Sequence, residues 1–372
     1  MNALRFLLIF VTFIVYAHQY EETLQLVHVF LRHGSRTPEL MHSYPNDIYQ
    51  LEDFQPMGWG QLTNLGKQNG YQLGKLLRGQ YENFLGDIYT SDIIQATSTD
   101  YDRTKMTVLL VLAGLFPPSR SQVWDDDLSW IPIPYYFEKN EEDYHLRRVT
   151  SYCPAYVEEL KKVYDSVENK QLEEEYQSVF QYIENNVGKP IRNVDDVLGI
   201  FQTLYAEQHM NLTLPKWSET VYPEPMSFLA GLQCHYENHN TILKRLFGGR
   251  MLKKAIDQME AKIKNTMTPT GRKIYLYSGH EYNVINIMAA LNVYTPHVPK
   301  YSAAVMIELH KLHETNKFAI KVLYARDLNK EPETLQIPGC ETICEWKKFI
   351  ELTKPHVPVN YTKECDSEIY LD

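Results

Sequence analysis

The chain has 372 residues, 44% of them hydrophobic and 12% aromatic, with a formal charge of −10 at pH 7. That is enough apolar material for one large domain or for a domain carrying an insertion. The acidic balance excludes nucleic acid and acidic membrane surfaces as natural partners, so an anionic ligand has to be held by a local group of cations.

Residues 1–17 read as a secretory signal. Arg5 precedes the apolar run Phe6 to Tyr16, and Val15-Tyr16-Ala17 offers a small-residue cleavage site. The run is short of the roughly 20 apolar residues that a bilayer span needs. No later segment is long and apolar enough to span, and no apolar tail follows, so a soluble, exported chain without a membrane anchor is expected.

Leu24 to Leu31 is an apolar run rich in Val, Leu and Phe and reads as a buried strand. It ends in Arg32-His33-Gly34-Ser35-Arg36-Thr37-Pro38. Residues 39–57 read as a loop, and Thr63 is a good N-cap for a helix running to about Leu77. Asp87 to Ser91 is expected as a second strand, followed by the polar stretch 92–99 with Ser98 and Asp100 as helix starters. Arg103 to Leu115 is expected as a buried helix that Phe116-Pro117-Pro118 stops.

Residues 119–135 read as linker, with Asp125-Asp126-Asp127 a solvated run. From 154 to 262 long polar helical patterns dominate, including Ala155 to Asn186 and Val194 to Met210, which points to a helical insertion. The strand pattern resumes at Lys273 to Tyr277 and again ends in a glycine-bearing polar turn, Ser278-Gly279-His280-Glu281, before a further helix. Ala303 to Leu309 and Phe318 to Tyr324 read as an antiparallel hairpin. The tail after Pro338 reads as irregular and held by cysteines.

Export makes disulfides expected among Cys153, Cys234, Cys340, Cys344 and Cys365, with one thiol left over. The spacing of Cys340 and Cys344 fits a small disulfide loop better than half of a metal site, because no second close pair completes one. Asn211 and Asn360 head glycosylation sequons.

Three junctions carry the chemistry. The first supplies Arg32, His33 and Arg36, the second Arg103 at a helix start, and the third His280 and Glu281 at another. Ligands of open α/β sheets bind at the carboxyl ends of strands, and helix N-termini favour anions. Three arginines that stay charged suit a phosphate. A neutral imidazole kept so by neighbouring cations can attack phosphorus. Glu281 can protonate the leaving alkoxide, which requires an acidic optimum, and His280 can donate to a phosphoryl oxygen.

These segments resemble the histidine acid phosphatases, in the prostatic, lysosomal and insect venom group. The family's Arg-His-Gly-x-Arg-x-Pro signature stands as Arg32 to Pro38, its glycine-rich helix start as Gly60 to Gly66, and its Ser-Thr-Asp-x-Asp-Arg-Thr segment as Ser98 to Thr104. Leu212 to Trp217 matches as well. The resemblance implies an α/β fold like that of phosphoglycerate mutase: a mostly parallel, doubly wound sheet with flanking helices over 18–130 and 263–372, and a mainly helical cap over 131–262. It implies a phosphohistidine on His33, with Arg32, Arg36, Arg103 and His280 holding the phosphate and Glu281 as proton donor. No metal and no cofactor are implied.

Two departures from the family stand out. Its usual His-Asp is His280-Glu281 here, one methylene longer, or roughly 1.5 Å of extra reach. Of the three disulfides of prostatic-type proteins, Cys153–Cys365 and Cys340–Cys344 fit two. The third pair's positions are Ala206 and Ala304, which leaves Cys234 free. The expected activity is secreted hydrolysis of small phosphate monoesters, with the lysosomal lumen an alternative destination and a homodimer suggested by the relatives. An inositol-phosphate phosphatase and a phosphate-ligand binder with little turnover are the alternative functions.

Overall fold

Leu24–Arg32 forms strand β1, and its side chains alternate between two apolar layers. Leu26 and Phe30 face one layer, and Val27, Val29 and Leu31 face the other. The computed structural model describes residues 23–368 and 371, so the expected signal at 1–17 lies outside the described residues.

In chain order there follow α1 (Asn64–Leu85), β2 (Ile94–Ser98), α2 (Asp102–Leu115) and β3 (Tyr136–Phe137). A run of helices comes next: α3 (Pro154–Tyr164), α4 (Val167–Glu175), α5 (Gln177–Val187), α6 (Val194–His209), α7 (Met226–Tyr236) and α8 (Thr241–Ile263). The chain then returns to the sheet with β4 (Ile274–Gly279), α9 (Glu281–Ala290), β5 (Ala304–Lys311) and β6 (Phe318–Ala325). It closes with β7 (Glu333–Leu335), β8 (Cys344–Glu345), α10 (Trp346–Thr353) and α11 (Tyr361–Glu364).

The strands order as β3-β2-β4-β1-β5-β6-β7, with β8 on β6. The fold class is α/β, and the sheet is mixed. β3, β2, β4 and β1 run parallel, whereas β1–β5, β5–β6, β6–β7 and β6–β8 are antiparallel. The expected parallel character is thus confined to one half of the sheet, because the hairpin at 304–325 extends it in the other sense.

Helices α1 and α2 cover one face. Their backbones touch: a Cβ on Gly74 would lie 2.3 Å from the Val111 carbonyl oxygen, and one on Gly114 2.4 Å from that of Tyr71. The other face is covered by α9, α10 and the second half of α8. Helices α3, α5, α6 and α7 enclose a separate core, to which the first half of α8 adds Leu243, Leu246 and Phe247. One long helix therefore ties the helical layer to the sheet.

Several boundaries differ from expectation. Thr63 caps α1 as expected, its side chain accepting from Gly66 N at 3.0 Å. The helix continues beyond Leu77 to Leu85, because Tyr81 and Leu85 prolong the buried row of Leu73 and Leu77 past Gly79. The second strand lies at Ile94–Ser98, not at Asp87–Ser91. Its buried positions are Ile94, Ala96 and Ser98, and the small Ala96 and polar Ser98 disguise the strand.

Neither Ser98 nor Asp100 caps α2; Tyr101 is its first flanking residue, and Asp100 pairs with Lys105. The pattern from Ala155 to Asn186 is three helices, broken near Asp165 and at Tyr176. The tail is partly ordered into β8, α10 and α11. Cys153–Cys365 and Cys340–Cys344 are both bonded, and Cys234 is free and buried.

Two buried carboxyls join α6 to the loop after β1. Burial, and then the neighbouring Asp47, hold the Glu207 carboxyl well above the usual range, and burial raises Asp47 as well. A raised folded-state pKa contributes stability that is complete below the unfolded carboxyl value of ~4.3 and is lost as pH rises through the folded value. The pair therefore takes stability away as pH rises from about 5 to 8, and Glu207→Gln is expected to shift the slope of the thermal midpoint against pH upward over that range. Melting curves of both proteins across this range check the point; identical slopes would contradict it.

Candidate active site

β1 and β4 are parallel neighbours with Arg32 opposite Gly279, and β2 flanks β4 with Ser98 opposite Ser278. Three loops therefore leave the sheet at one edge, where the strands' carboxyl ends meet. Backbone bonds fix them together. His33 N donates to Gly279 O at 2.9 Å, Thr99 N to Ser278 O at 3.1 Å, and Ser302 N to His33 O at 3.0 Å. The first loop also presses on the start of α1, since a Cβ on Gly34 would lie 2.2 Å from Gly66 O. Gly34 N donates to Thr107 Oγ1 of α2 at 3.1 Å.

These contacts orient His33. Its Nδ1 lies 2.8 Å from the Gly34 carbonyl oxygen. A carbonyl only accepts, so Nδ1 carries the proton and Nε2 keeps its lone pair. Burial, then Arg103, Arg32, His280 and Arg36, push the His33 pKa well below its ordinary value. The ring is thus neutral and nucleophilic in mild acid.

The structure brings Arg32, Arg36 and Arg103 together around this ring, all buried. Arg32 Nη1 donates to Pro299 O, and its guanidinium stacks 4.4 Å from the Tyr301 ring centroid. Arg36 donates to Gln202 Oε1 at 2.7 Å and to Thr37 O at 3.0 Å. Arg103 donates to Gly60 O at 3.4 Å. Among the described residues, Arg32 Nη2, Arg36 Nε and Arg103 Nε have no hydrogen-bond partner. Buried guanidinium N–H groups without acceptors at a strand edge make an anion site.

Glu281 opens α9. Its Oε2 is 3.5 Å from Arg32 Nε, and its Oε1 accepts from Gln202 Nε2 at 3.4 Å. Burial alone would raise this carboxyl, but Arg32, His280 and Arg36 draw it down to about 2. Glu281 is therefore ionised before any anion arrives.

His280 lies beside His33, with ring centroids 5.6 Å apart and edge-on. Its Nε2 is 3.1 Å from Thr99 Oγ1, which itself donates to Thr104 Oγ1 at 2.9 Å, and Arg103 Nη2 lies 3.4 Å from its Nδ1. Nδ1 accepts from the arginine, so Nε2 carries the proton and donates it to Thr99. Burial, then Arg103, lower this histidine to about 3. The ring holds Arg103 in place, and its one N–H is spent on Thr99.

Sequence reasoning missed two further groups. Glu39 bridges Arg36 and Arg103, with contacts of 2.9 and 2.8 Å; its place one residue after the signature could have flagged it. Gln202, on α6, touches both Arg36 and Glu281. The signal for it was a polar residue on a helix face that is otherwise apolar.

A family model described as the histidine phosphatase superfamily (branch 2) matches residues 23–325. A venom acid phosphatase of Apis mellifera is 39% identical over 345 residues, covering 92% of this chain and 88% of that protein. Prostatic acid phosphatase of Bos taurus is 31% identical over 92% of this chain and 87% of its own length. Lysosomal acid phosphatase of Homo sapiens is 30% identical over 98% and 85%. Among solved structures, the phytase of Citrobacter braakii superposes with a TM-score of 0.70 at 17% identity, covering 92% of this chain and 99% of that one. At that identity the likeness concerns the fold.

Gly34→Ala is expected to lower stability by about 3 kcal/mol or more, the upper range of overpacking penalties, because the new methyl meets backbone, and to abolish activity with it. Urea unfolding measures this; a midpoint like that of the unmodified protein would contradict the close approach.

Proposed function

Because the chain belongs to the histidine phosphatase superfamily (branch 2), we propose that it is a secreted acid phosphatase that hydrolyses small phosphate monoesters through a phosphohistidine on His33. The observation that carries this proposal is the fixed tautomer of His33, whose free Nε2 lone pair stands among three buried guanidiniums.

Arg32, Arg36 and Arg103 bind the phosphoryl oxygens, with His280 acting through Arg103. His33 Nε2 attacks phosphorus as the ester P–O bond breaks. The ring is then a cation, and its Nδ1–H stays on the Gly34 carbonyl. The departing alkoxide takes a proton from Glu281. A water then attacks phosphorus and gives its proton back to Glu281; the P–N bond breaks, phosphate leaves and neutral His33 returns.

Glu281 starts ionised, so its proton has to be brought in. A phosphomonoester's second pKa is ~6, so below that value the ester carries a proton of its own. The dianion also neutralises the arginines that had held Glu281 down, which lets the carboxyl accept that proton. Activity therefore declines as pH rises past the ester's second ionisation.

Export is supported by the two disulfides and by the exposure of Asn211 and Asn360, the expected glycosylation sites. No helix among the described residues is long and apolar enough to cross a membrane. A homodimer, as the resemblance suggests, remains part of the proposal.

His33→Ala is expected to abolish turnover of an aryl phosphate at acidic pH; full activity would overturn the nucleophile assignment. Glu281→Gln is expected to slow the first step, release of the alcohol, by ~10²–10⁴-fold for alkyl phosphates and far less for nitrophenyl phosphate, because a good leaving group needs little protonation. First-turnover rates of alcohol release on both ester types check this; equal losses in that step would contradict the proton-donor role.

A further inference from the structure

Glu39 follows the Arg32–Pro38 loop and stands just before a short 3-10 helix, Leu40–His42. Its side chain makes no capping bond there. It turns inward instead and lies across two of the three arginines, Oε2 on Arg36 Nη2 at 2.9 Å and Oε1 on Arg103 Nη2 at 2.8 Å. The carboxylate remains 17% exposed, so it borders both the arginine pocket and solvent. His42 stands 3.6 Å away, but burial disfavours its charged form.

The charges that meet here are few. Three guanidiniums face two carboxylates, Glu39 and Glu281. The arginine N–H groups left without partners would be met by one phosphate. A second phosphate on the same substrate would find the negative charge of Glu39 at the rim; Lys300 is already paired with Asp327, and Lys189 is tied to Ser43 O. Like charges brought together in a partly dry site are strongly unfavourable.

We infer that Glu39 is a specificity-determining residue that weakens the grip on phosphate and rejects polyphosphorylated substrates in favour of monoesters with an uncharged or cationic alcohol portion. This rests on the phosphatase activity proposed above. It also separates this pocket chemically from one suited to inositol polyphosphates, although the fold is shared with a phytase.

The test is Glu39→Gln, with Glu39→Ala as a second variant, each first checked for an unchanged melting profile. Two measurements are made on each: calorimetric binding of inorganic phosphate, and kcat/KM for inositol hexakisphosphate relative to nitrophenyl phosphate. Both the phosphate affinity and the kcat/KM ratio are expected to rise about tenfold.

A role confined to holding Arg36 and Arg103 in place predicts the reverse, weaker phosphate binding and an equal loss on both esters. That result, or no change in either measurement, would overturn the inference. If the unmodified protein turns over neither ester, the phosphatase proposal fails on its own, and the phosphate affinities alone decide the role of Glu39.

Discussion

Burial of three arginine side chains at one edge of the sheet is the constraint that the site depends on. A buried ion costs several kcal/mol unless it is paired and hydrogen-bonded. Here the compensation is distributed across the whole chain: Glu39 from the loop after β1, Pro299 from the loop before β5, Gly60 before α1, and Gln202 from the helical layer. The parallel register of β1 and β4 sets Arg32 beside the Gly279-His280-Glu281 turn. The fold brings these elements together, and the arginines bind them to one another.

The same charges set the protonation of the site. Together with burial, which is the larger influence on the histidine, they keep the proposed nucleophile His33 neutral, and they overcome burial to keep the proposed acid Glu281 ionised. A phosphate dianion answers both conditions, because it cancels the field that held the carboxyl down. The extra methylene of Glu281, relative to the aspartate usual in the family, is accommodated by placing its oxygens between Arg32 and Gln202. Gln202 comes from α6, so the helical layer takes part in positioning the acid.

Much of this was legible in the sequence. The Arg32–Pro38 turn, the Thr63 cap, the 304–325 hairpin, both disulfides and the free Cys234 all follow from local patterns or from the family resemblance. The second strand was not legible, because Ala96 and Ser98 fill buried positions where larger apolar residues are expected. Gly79 hid the last turns of α1. Gln202 and Glu39 were missed for a different reason. Their roles arise from proximity across the fold, to Arg36 and Glu281 in one case and to Arg36 and Arg103 in the other; the sequence marks both positions as unusual but does not say which groups they touch. The separation of the parallel from the antiparallel half of the sheet was likewise a matter of strand order.

The central claim is that His33 carries the phosphoryl group covalently. It is tested most directly by quenching the protein in alkali during turnover of an aryl phosphate and mapping the modified peptide by mass spectrometry. The account predicts an alkali-stable, acid-labile phosphoryl group on His33. Sustained turnover with His33 unmodified, or with the phosphoryl group on another side chain, would contradict it.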